Sequence, residues 1–449
     1  MGKFFGTDGI RGLANEYPIT CEMAMDIGRA VAHLFRSETG KSKIVIGKDT
    51  RISGDMIESA LVSGICSMGV DAVLTNILPT PGIAYMTSSM GANAGIVISA
   101  SHNPYYDNGI KIFNQDGFKL SDEKEEAIEH IILNEKPGLM CKTVRDTGRV
   151  FKIEDAGKNY INFLKSALPE GFSLKGMKIV IDCANGATYQ VAPELFKELG
   201  VDVESIYTEP DGKNINKNCG SQHPEALIEI VLKKDADIGL AFDGDGDRLI
   251  AVDEKGSVLT GDQILAVCAN MLKLKSKLSN NLVISTIMSN MGLKVSLKDL
   301  GIEHIMTNVG DRYVMEQMIS SGSVLGGEDS GHTIFLNHHT TGDGILSALK
   351  LIESMKFESK PLSELKKVMR VFPQALINVT VKSKPEINSI PAVQEAIGSV
   401  EKDLGEKGRV LVRYSGTQPI CRVMVEGPTE EETLKYCRQI ADVLKRLIG

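Results

Sequence analysis

Short apolar segments alternate with amphipathic segments along most of the chain, and this alternation limits the fold more than any other feature. The apolar segment KIVIG (43–47) is followed by a helical pattern in which Ile57, Leu61 and Ile65 share one face. Two further apolar segments, DAVLTNIL and AGIVIS, follow with a second helical pattern between them. Strands that alternate with helices favour a parallel or mixed sheet with helices on its faces. The sequence therefore predicts an α/β fold.

The alternation restarts near residue 157 and again after residue 260, and its character changes after about residue 370. Beyond that point ALINVTV, GRVLVRYSG and CRVMVEG are typical of antiparallel strands, and the last segment is typical of a helix that begins with a capping box. A chain of 449 residues is also too long for one hydrophobic core. We therefore expect three consecutive α/β domains with mixed sheets and a smaller C-terminal α+β domain, with the bounds 1–153, 154–255, 256–370 and 371–449.

Composition argues against several classes of protein. The formal net charge is −8, from 58 acidic and 50 basic residues, which argues against a coat for nucleic acid or a membrane-surface protein. The N-terminal MGKFFGTDGIRG lacks the apolar core of a signal peptide, and no apolar run is long enough to span a bilayer. None of the eight cysteines forms a C-x-x-C pair, which is typical of reduced thiols. We expect a cytoplasmic protein that binds neither nucleic acid nor membranes.

The segment GIVISASHNP places Ser99, Ser101 and His102 where an apolar strand ends. In parallel α/β sheets, ligands bind beyond the carboxyl ends of the strands. Pro104 then prevents a regular ladder from continuing. A hydroxyl at this point has rigid support and is available for covalent chemistry. The ordinary alternative is a polar turn without a chemical role.

Three aspartates, Asp243, Asp245 and Asp247, alternate with glycines in the segment DGDGDR. Three converging carboxylates repel one another unless a cation lies among them, and hard oxygen ligands select Mg²⁺, Mn²⁺ or Ca²⁺. An EF-hand is one alternative, but its sixth position needs glycine and Arg248 stands there, between segments typical of strands. A solvated acidic turn is the other alternative. An arginine beside a metal ion also suggests that a phosphate lies between them.

Three other segments combine turn residues with charged or hydroxyl side chains. GTDGIRG presents Arg11, and GGEDSGH presents Glu328 and Ser330 on a loop suited to hydrogen bonding with a polyol. RYSGTQPICR is compatible with a phosphate site, because a glycine with hydroxyl residues forms a backbone nest and two guanidinium groups can hold a dianion. A hairpin turn with surface arginines explains that segment equally well. Its candidate ligands are Arg413, Ser415, Gly416, Thr417 and Arg422.

Four motifs, ASHNP, DGDGDR, GGEDSGH and RYSGT…R, occur in this order across the whole chain. Together they resemble the α-D-phosphohexomutase superfamily. FGTDGIRG and ISASHNPYYDNGIK resemble most the bacterial members that act on glucosamine phosphates. The fold that this resemblance implies has four domains around a central cleft, three of them α/β and the fourth distinct. Asp329, Tyr414 and Gln418 differ from the residues usual at these positions and carry no expected role.

The resemblance also implies roles for individual residues. Ser101 is expected to carry a phosphoryl group as phosphoserine and to complete, with a phosphate oxygen, the site of one Mg²⁺ per chain. Lys111, whose pKa a cationic cleft would lower, is the expected general acid or base, and Arg11 and His102 assist at the transferring phosphoryl group. Asp243, Asp245 and Asp247 would hold the metal ion. The expected substrate contacts are Glu328, Ser330, Arg248, Arg413, Ser415, Gly416, Thr417 and Arg422.

The resemblance therefore predicts an isomerase that interconverts glucosamine 6-phosphate and glucosamine 1-phosphate for amino-sugar nucleotide synthesis. Its expected route passes through the phosphoserine and a 1,6-bisphosphate, and glucosamine or glucose 1,6-bisphosphate would act as intermediate or activator. A homodimer is expected as well. The alternatives are the same reaction on glucose or mannose phosphates, a Mg²⁺-dependent phosphatase, and a sugar-phosphate sensor without activity.

Overall fold

The computed structural model describes residues 4–6, 8–37, 41–135, 141–143, 146–415 and 419–449. Its first sheet has seven strands in the order β1-β2-β6-β5-β3-β4-β7. These strands are β1 (Phe5–Gly6), β2 (Gly9–Leu13), β3 (Lys43–Lys48), β4 (Asp71–Ile77), β5 (Ala94–Ile98), β6 (Asp107–Asn114) and β7 (Val150–Lys152). The accompanying helices are α1 (Cys21–Phe35), α2 (Gly54–Ser67), α3 (Thr80–Ser89) and α4 (Asp122–Asn134).

Helices cover both faces of the centre of this sheet. Ile44 and Ile96 enter a core that also contains residues of α1, α2 and α4. Gly95, the neighbour of Ile96, faces α3, where an added Cβ would lie 2.1 Å from Thr87 Oγ1. The parallel strands β3, β4 and β5 are therefore nearly continuous apolar runs, as expected for strands buried on both faces. Because β5 is held in this way, the turn that follows it starts from a rigid element.

Two further sheets repeat the α/β arrangement. The second has the order β12-β11-β10-β8-β9 and the third has the order β14-β13-β15-β16. Their strands are β8 (Lys178–Asp182), β9 (Asp202–Ile206), β10 (Ile238–Phe242), β11 (Leu249–Asp253), β12 (Val258–Leu259), β13 (Leu282–Thr286), β14 (Glu303–Thr307), β15 (Leu325–Gly327) and β16 (Thr333–Phe335). The helices are α5 (Ala156–Ser166), α6 (Val191–Glu198), α7 (Glu225–Lys234), α8 (Gly261–Leu274), α9 (Met291–Asp299), α10 (Asp311–Ser321), α11 (Gly344–Glu358) and α12 (Leu362–Leu365). All three sheets combine parallel and antiparallel pairs, which confirms the predicted fold class.

The last sheet is antiparallel, with the order β17-β19-β18. It consists of β17 (Gln374–Thr380), β18 (Arg409–Tyr414) and β19 (Ile420–Glu426), with the helices α13 (Pro391–Leu404) and α14 (Glu430–Ile448). Val393, Val423 and Ile440 lie in its own apolar core. This arrangement confirms the smaller C-terminal α+β part.

The chain divides into two compact units. The first contains the residues up to Met288 together with Ile302–Lys367, and the second contains Ser289–Gly301 and Val368–Gly449. The finer division at 153, 255 and 370 stays a prediction. Among the residues with described coordinates, no helix combines the length and the apolar character needed to cross a membrane.

Candidate active site

Ser101 lies in the turn after β5 and is 1% exposed. Its φ of +53° is in the left-handed region, which is unfavourable for a serine. Its Oγ donates a hydrogen bond of 2.6 Å to Asp243 Oδ2, although the two residues are 142 positions apart. The structure therefore brings two of the predicted site residues into direct contact. Backbone strain of this kind is concentrated at functional sites.

The acidic segment forms the turn between the antiparallel strands β10 and β11. Its aspartates are fully buried, and the ligand oxygens of all three lie within 4.8 Å of one another. The two glycines permit this packing. An added Cβ on Gly244 would lie 2.6 Å from the Ser101 carbonyl oxygen, and Gly246 has a φ of +73°. The DGDGDR segment thus converges as the sequence predicted.

The donor set fits a hard divalent cation. Asp245 Oδ1 and Asp247 Oδ1 are buried and accept no hydrogen bond from any described residue. Burial, followed by the charges of Asp247 and Asp245, raises the pKa of Asp243 well above its usual range. A cation among the three oxygens would relieve both the desolvation and the repulsion. Carboxylate oxygens are the ligands that Mg²⁺, Mn²⁺ and Ca²⁺ prefer, and two of these oxygens accept no hydrogen bond from the described part of the chain.

Lys111 lies in the middle of β6 and is 1% exposed, so it is not a surface lysine. Its Nζ lies 2.8 Å from Asp245 Oδ2, 3.1 Å from Asp8 Oδ2 and 3.3 Å from Asp247 Oδ2. Burial on its own lowers the pKa of Lys111, but these three carboxylates outweigh it and raise the pKa well above the usual value. The expectation of a lowered pKa was therefore wrong, because the three carboxylates beside the ammonium group outweigh both its burial and the nearby charge of Arg11.

Four residues that the sequence analysis did not single out extend this charged cluster. Lys119 Nζ lies 2.5 Å from both Asp8 Oδ1 and Asp311 Oδ2. His332 Nε2 lies 3.3 Å from Asp311 Oδ2, and His332 Nδ1 lies 3.7 Å from Asp247 Oδ2. Asp8 and His332 belong to the quoted segments GTDGIRG and GGEDSGH, so their motifs could have indicated them. Lys119 and Asp311 stand in no such motif, and their contact spans 192 residues.

Arg11, His102 and Arg248 lie around the same serine. His102 Nδ1 lies 3.3 Å from Ser101 Oγ and 3.1 Å from Arg248 Nη1. Burial, followed by the charges of Arg248 and Arg11, lowers the pKa of His102 to about 4. Arg11 pairs with Asp8, and its Nη1 lies 3.5 Å from the Ala100 carbonyl oxygen. The imidazole of His102 is therefore neutral, and the positive charge beside Ser101 comes from the guanidinium groups of Arg11 and Arg248.

The sugar-binding residues expected from the GGEDSGH segment differ in their surroundings. Glu328 is partly buried, its Oε1 accepts a hydrogen bond of 3.1 Å from Gly310 N, and burial raises its pKa. Ser330 is exposed. Asp329, the residue between them, accepts a hydrogen bond of 3.4 Å from Asp262 N. Whether Glu328 and Ser330 contact a sugar stays a prediction.

The expected phosphate ligands belong to the second unit. Arg413 on β18 and Arg422 on β19 are direct cross-strand partners. Burial and the Arg422 charge both lower the pKa of Arg413. Ser415 is buried, and the Tyr414 hydroxyl donates a hydrogen bond to the Pro385 carbonyl oxygen. The remaining predicted ligands Gly416 and Thr417, with Gln418, lie outside the described residues.

Family models match the chain in four consecutive parts. Domain I of phosphoglucomutase/phosphomannomutase matches residues 2–138, domain II matches 158–256, domain III matches 260–372, and the C-terminal domain matches 376–443. Curated relatives match over the full length. The phosphoglucosamine mutase of Syntrophus aciditrophicus (strain SB) is 64% identical, and that of Syntrophobacter fumaroxidans is 60% identical, each with 100% of both chains covered.

Solved structures share the fold at lower identity. The phosphoglucomutase/phosphomannomutase family protein of Burkholderia thailandensis aligns with a TM-score of 0.80 at 24% identity, covering 98% of this chain and 97% of its own. The N-acetylphosphoglucosamine mutase of Aspergillus fumigatus, in complex with GlcNAc-6P and magnesium, aligns with a TM-score of 0.69 at 16% identity, covering 100% of this chain and 96% of its own. At these identities the likeness concerns the fold.

Proposed function

Because the chain belongs to the phosphoglucomutase/phosphomannomutase family, we propose that it interconverts glucosamine 6-phosphate and glucosamine 1-phosphate. The full-length identity of 64% to a phosphoglucosamine mutase supports this substrate. The observation that carries the chemistry is the hydrogen bond of 2.6 Å between Ser101 Oγ and Asp243 Oδ2, because it places a strained, buried hydroxyl at a cluster of carboxylates. Such a hydroxyl is suited to carry a phosphoryl group.

The proposed cycle consists of two phosphoryl transfers. In the first, the C1 hydroxyl of glucosamine 6-phosphate forms a bond to the phosphorus of phosphoserine 101 as the bond from phosphorus to Ser101 Oγ breaks. The hydroxyl proton is released, and glucosamine 1,6-bisphosphate results. The bisphosphate reverses its orientation. Ser101 Oγ then forms a bond to the phosphorus of the 6-phosphate as the bond from phosphorus to the C6 oxygen breaks, and that oxygen takes up a proton, leaving glucosamine 1-phosphate. Glucosamine or glucose 1,6-bisphosphate would restore the phosphoserine when it is lost.

The three aspartates Asp243, Asp245 and Asp247 would hold one Mg²⁺ per chain, with an oxygen of the phosphoserine as a further ligand. Mg²⁺ bound there would neutralise negative charge on the transferring phosphoryl group. The protein's own part is to fix the position of Ser101 and to keep the surroundings buried, since phosphoryl transfer depends mainly on positioning and charge stabilisation.

The remaining side chains of the first unit would act on the groups around the phosphorus. Lys111 is the proposed general acid or base, since it lies in the cluster that contains the aspartates, and its raised pKa favours the role of general acid. Arg11, His102 and Arg248 would contact the phosphoryl oxygens. Glu328 and Ser330 would bind sugar hydroxyls.

The second unit would bind the phosphate that does not react. Arg413 and Arg422 offer two guanidinium groups on neighbouring strands, which is the arrangement that favours a dianion. Ser415, Gly416 and Thr417 would add backbone and hydroxyl donors. We also propose a cytoplasmic homodimer, on the resemblance alone.

The substrate is tested by comparing kcat/KM for glucosamine 6-phosphate, glucose 6-phosphate and mannose 6-phosphate, with the sugar 1-phosphate product identified by ³¹P NMR. We expect glucosamine 6-phosphate to have the highest value. A higher value for glucose or mannose 6-phosphate would make the chain a mutase for neutral hexose phosphates. Release of inorganic phosphate in place of the isomer would make it a phosphatase, and neither product would indicate a sensor.

A further inference from the structure

The segment that follows β3 is buried against the turn that carries Ser101. Asp49 Oδ2 accepts a hydrogen bond of 2.5 Å from Ser99 Oγ, and Ser99 Oγ in turn accepts one of 2.9 Å from Ser101 N. The parallel strands β3 and β5 are direct neighbours, so Asp49 and Ser99 leave the sheet at the same edge. A series of hydrogen bonds thus connects a buried carboxylate with the backbone of the proposed nucleophile.

Two side chains converge on the carbonyl oxygens of the same turn. Arg51 Nη2 lies 3.2 Å from Ser101 O and 2.5 Å from Asn103 O. Asn216 Nδ2 lies 2.9 Å from each of the same two oxygens. The guanidinium group of Arg51 pairs with Asp49, which also accepts a hydrogen bond of 2.9 Å from Arg51 N. We refer to Asp49, Arg51 and Asn216 as the carbonyl clamp.

The clamp explains how a serine is kept at a φ of +53°. A left-handed conformation persists at a non-glycine residue where the surrounding structure imposes it. Here the N–H of Ser101 is held through Ser99, and its carbonyl oxygen is held by Arg51 and Asn216. With both sides of the residue fixed, Ser101 Oγ points at Asp243 Oδ2.

The ion pair between Asp49 and Arg51 within the clamp is buried. Asp49 is 2% exposed and Arg51 is 3% exposed. A buried ion pair adds little net stability compared with apolar residues of similar volume, because both charges are desolvated. The contacts of this pair lead instead to the two carbonyl oxygens and to Ser99. The pair is therefore better explained by the geometry it imposes on the turn than by a contribution to stability.

We propose that Asp49, Arg51 and Asn216 are positioning residues, which hold Ser101 in the conformation from which it transfers the phosphoryl group. The inference rests on the proposed function, because it concerns the same serine. A displacement of the reacting atom by about 1 Å can cost about 10²-fold in rate. The clamp should therefore control kcat, whereas KM should depend on the side chains that contact the sugar and its phosphate.

Three variants weaken the clamp while keeping the local shape. Asp49→Asn keeps the size of the side chain and removes its charge. Arg51→Lys keeps the charge and removes the planar fork that reaches both carbonyl oxygens. Asn216→Gly removes the amide and tolerates the φ of +58° at this position. Each variant should lower kcat by about 10- to 10²-fold, while KM for glucosamine 6-phosphate stays within about threefold of wild type.

Thr50→Val is the matched control, because Thr50 stands between Asp49 and Arg51 and is also buried. Its Oγ1 donates a hydrogen bond of 2.6 Å to Asn185 O, which lies outside the Ser101 turn. This variant should lower Tm and leave kcat unchanged. All assays are run well below the Tm of each variant, so that unfolding does not contribute.

A double-mutant cycle separates positioning from general stability. Asp49 and Arg51 act on the same turn, so kcat of the double variant Asp49→Asn/Arg51→Lys should be no lower than that of the worse single variant. The rate at which glucose 1,6-bisphosphate phosphorylates Ser101, followed by intact mass, should fall in parallel with kcat.

Two results would overturn the inference in an active wild-type protein: unchanged kcat in all three variants, or losses that follow Tm and also occur in Thr50→Val. Wild-type protein that forms no glucosamine 1-phosphate would contradict the proposed function, and the inference with it.

Discussion

The charged cluster around Ser101 in the first unit and the arginine pair in the second unit are built in opposite ways. In the first, cationic side chains lie next to anionic ones. The Nζ atom of Lys111, for example, lies within 3.3 Å of carboxylate oxygens of three aspartates. In the second, Arg413 and Arg422 stand directly opposite each other, and neither forms an ion pair within the described part of the unit. Like charges in this position destabilise a sheet. The first cluster contains cations and anions that pair with one another, whereas the second carries positive charge that an anion would offset.

This difference predicts that the first cluster serves the chemical step and that the arginine pair serves substrate binding. A cluster that is ordered before substrate arrives is suited to transition-state stabilisation, since its groups need little reorganisation during the reaction. A pair of uncompensated arginines gains most from binding an anion, whichever chemical step follows. Substitutions in the first cluster should therefore lower kcat, and substitutions of the arginine pair should raise KM.

The largest effect is expected for Ser101→Ala, which removes the proposed phosphoryl carrier. Mutase activity should fall by at least about 10⁴-fold, since loss of a catalytic nucleophile can cost about 10⁶-fold in kcat. Ser63→Ala is the control, because Ser63 is exposed and its hydroxyl donates a hydrogen bond of 2.9 Å to Ser59 O within α2. Turnover close to wild type in Ser101→Ala would remove the basis for placing the chemistry in the first unit.

Asp245→Asn should have the next largest effect. The substitution removes one of three carboxylates whose oxygens converge, so it weakens the hold on a divalent cation. We expect kcat to fall by about 10²–10³-fold, and the Mg²⁺ concentration for half-maximal activity to rise. Asp202→Asn, at an exposed position, is the control. An unchanged Mg²⁺ requirement would contradict the metal site.

Arg422→Met tests the second unit. Loss of a charge-assisted hydrogen bond costs about 1.5–3 kcal/mol, so KM should rise by about 10- to 10²-fold with a smaller change in kcat. Because the repulsion from Arg413 is removed, Tm should stay the same or rise. Arg438→Met, at an exposed position of α14, is the control. A loss confined to kcat would refute the division between the two clusters.

The smallest expected effect concerns the pH dependence of stability in the first unit. Asp182 is fully buried and accepts hydrogen bonds of 2.8 Å from Ala184 N and Gly220 N. Burial raises its pKa from 3.8 to about 6. The folded protein therefore binds a proton more tightly than the unfolded chain. The resulting stability is fully present below pH 3.8 and is lost as pH rises through about 6.

A raised pKa of this size corresponds to about 3 kcal/mol at a fully buried site. Asp182→Asn lacks this titration, so its Tm relative to wild type should rise between about pH 4 and about pH 7. Parallel curves of Tm against pH for the two proteins would show that Asp182 does not titrate as its burial requires.

Local sequence patterns were sufficient to predict the fold class and part of the candidate site. The apolar run of β5 and the polar residues after it predicted the place of Ser101, and the glycines of DGDGDR predicted that three aspartates converge. Both follow from rules that act within one strand or one turn. The fold class followed in the same way, because each strand and helix carries its own periodicity.

Contacts between segments that are distant in sequence could not be predicted from such local patterns. Lys119 and Asp311 are 192 residues apart, and no periodicity brings them together. The pKa of Lys111 was predicted in the wrong direction for the same reason, since its sign depends on Asp8 and two residues of the acidic turn. Asp49 could have been predicted from the sequence. It follows β3, the neighbour of β5, and ligands bind at the carboxyl ends of parallel strands.

Ser101 is proposed to accept a phosphoryl group and to pass it to the sugar. The most direct measurement is intact mass with peptide mapping, made after incubation with glucose 1,6-bisphosphate and again after addition of glucosamine 6-phosphate. We predict a gain of one phosphoryl group on the peptide that contains Ser101, and a fall in that species as glucosamine 1,6-bisphosphate appears. A phosphoryl group on another residue, or one that stays on Ser101 while glucosamine 1-phosphate is formed, would contradict the account.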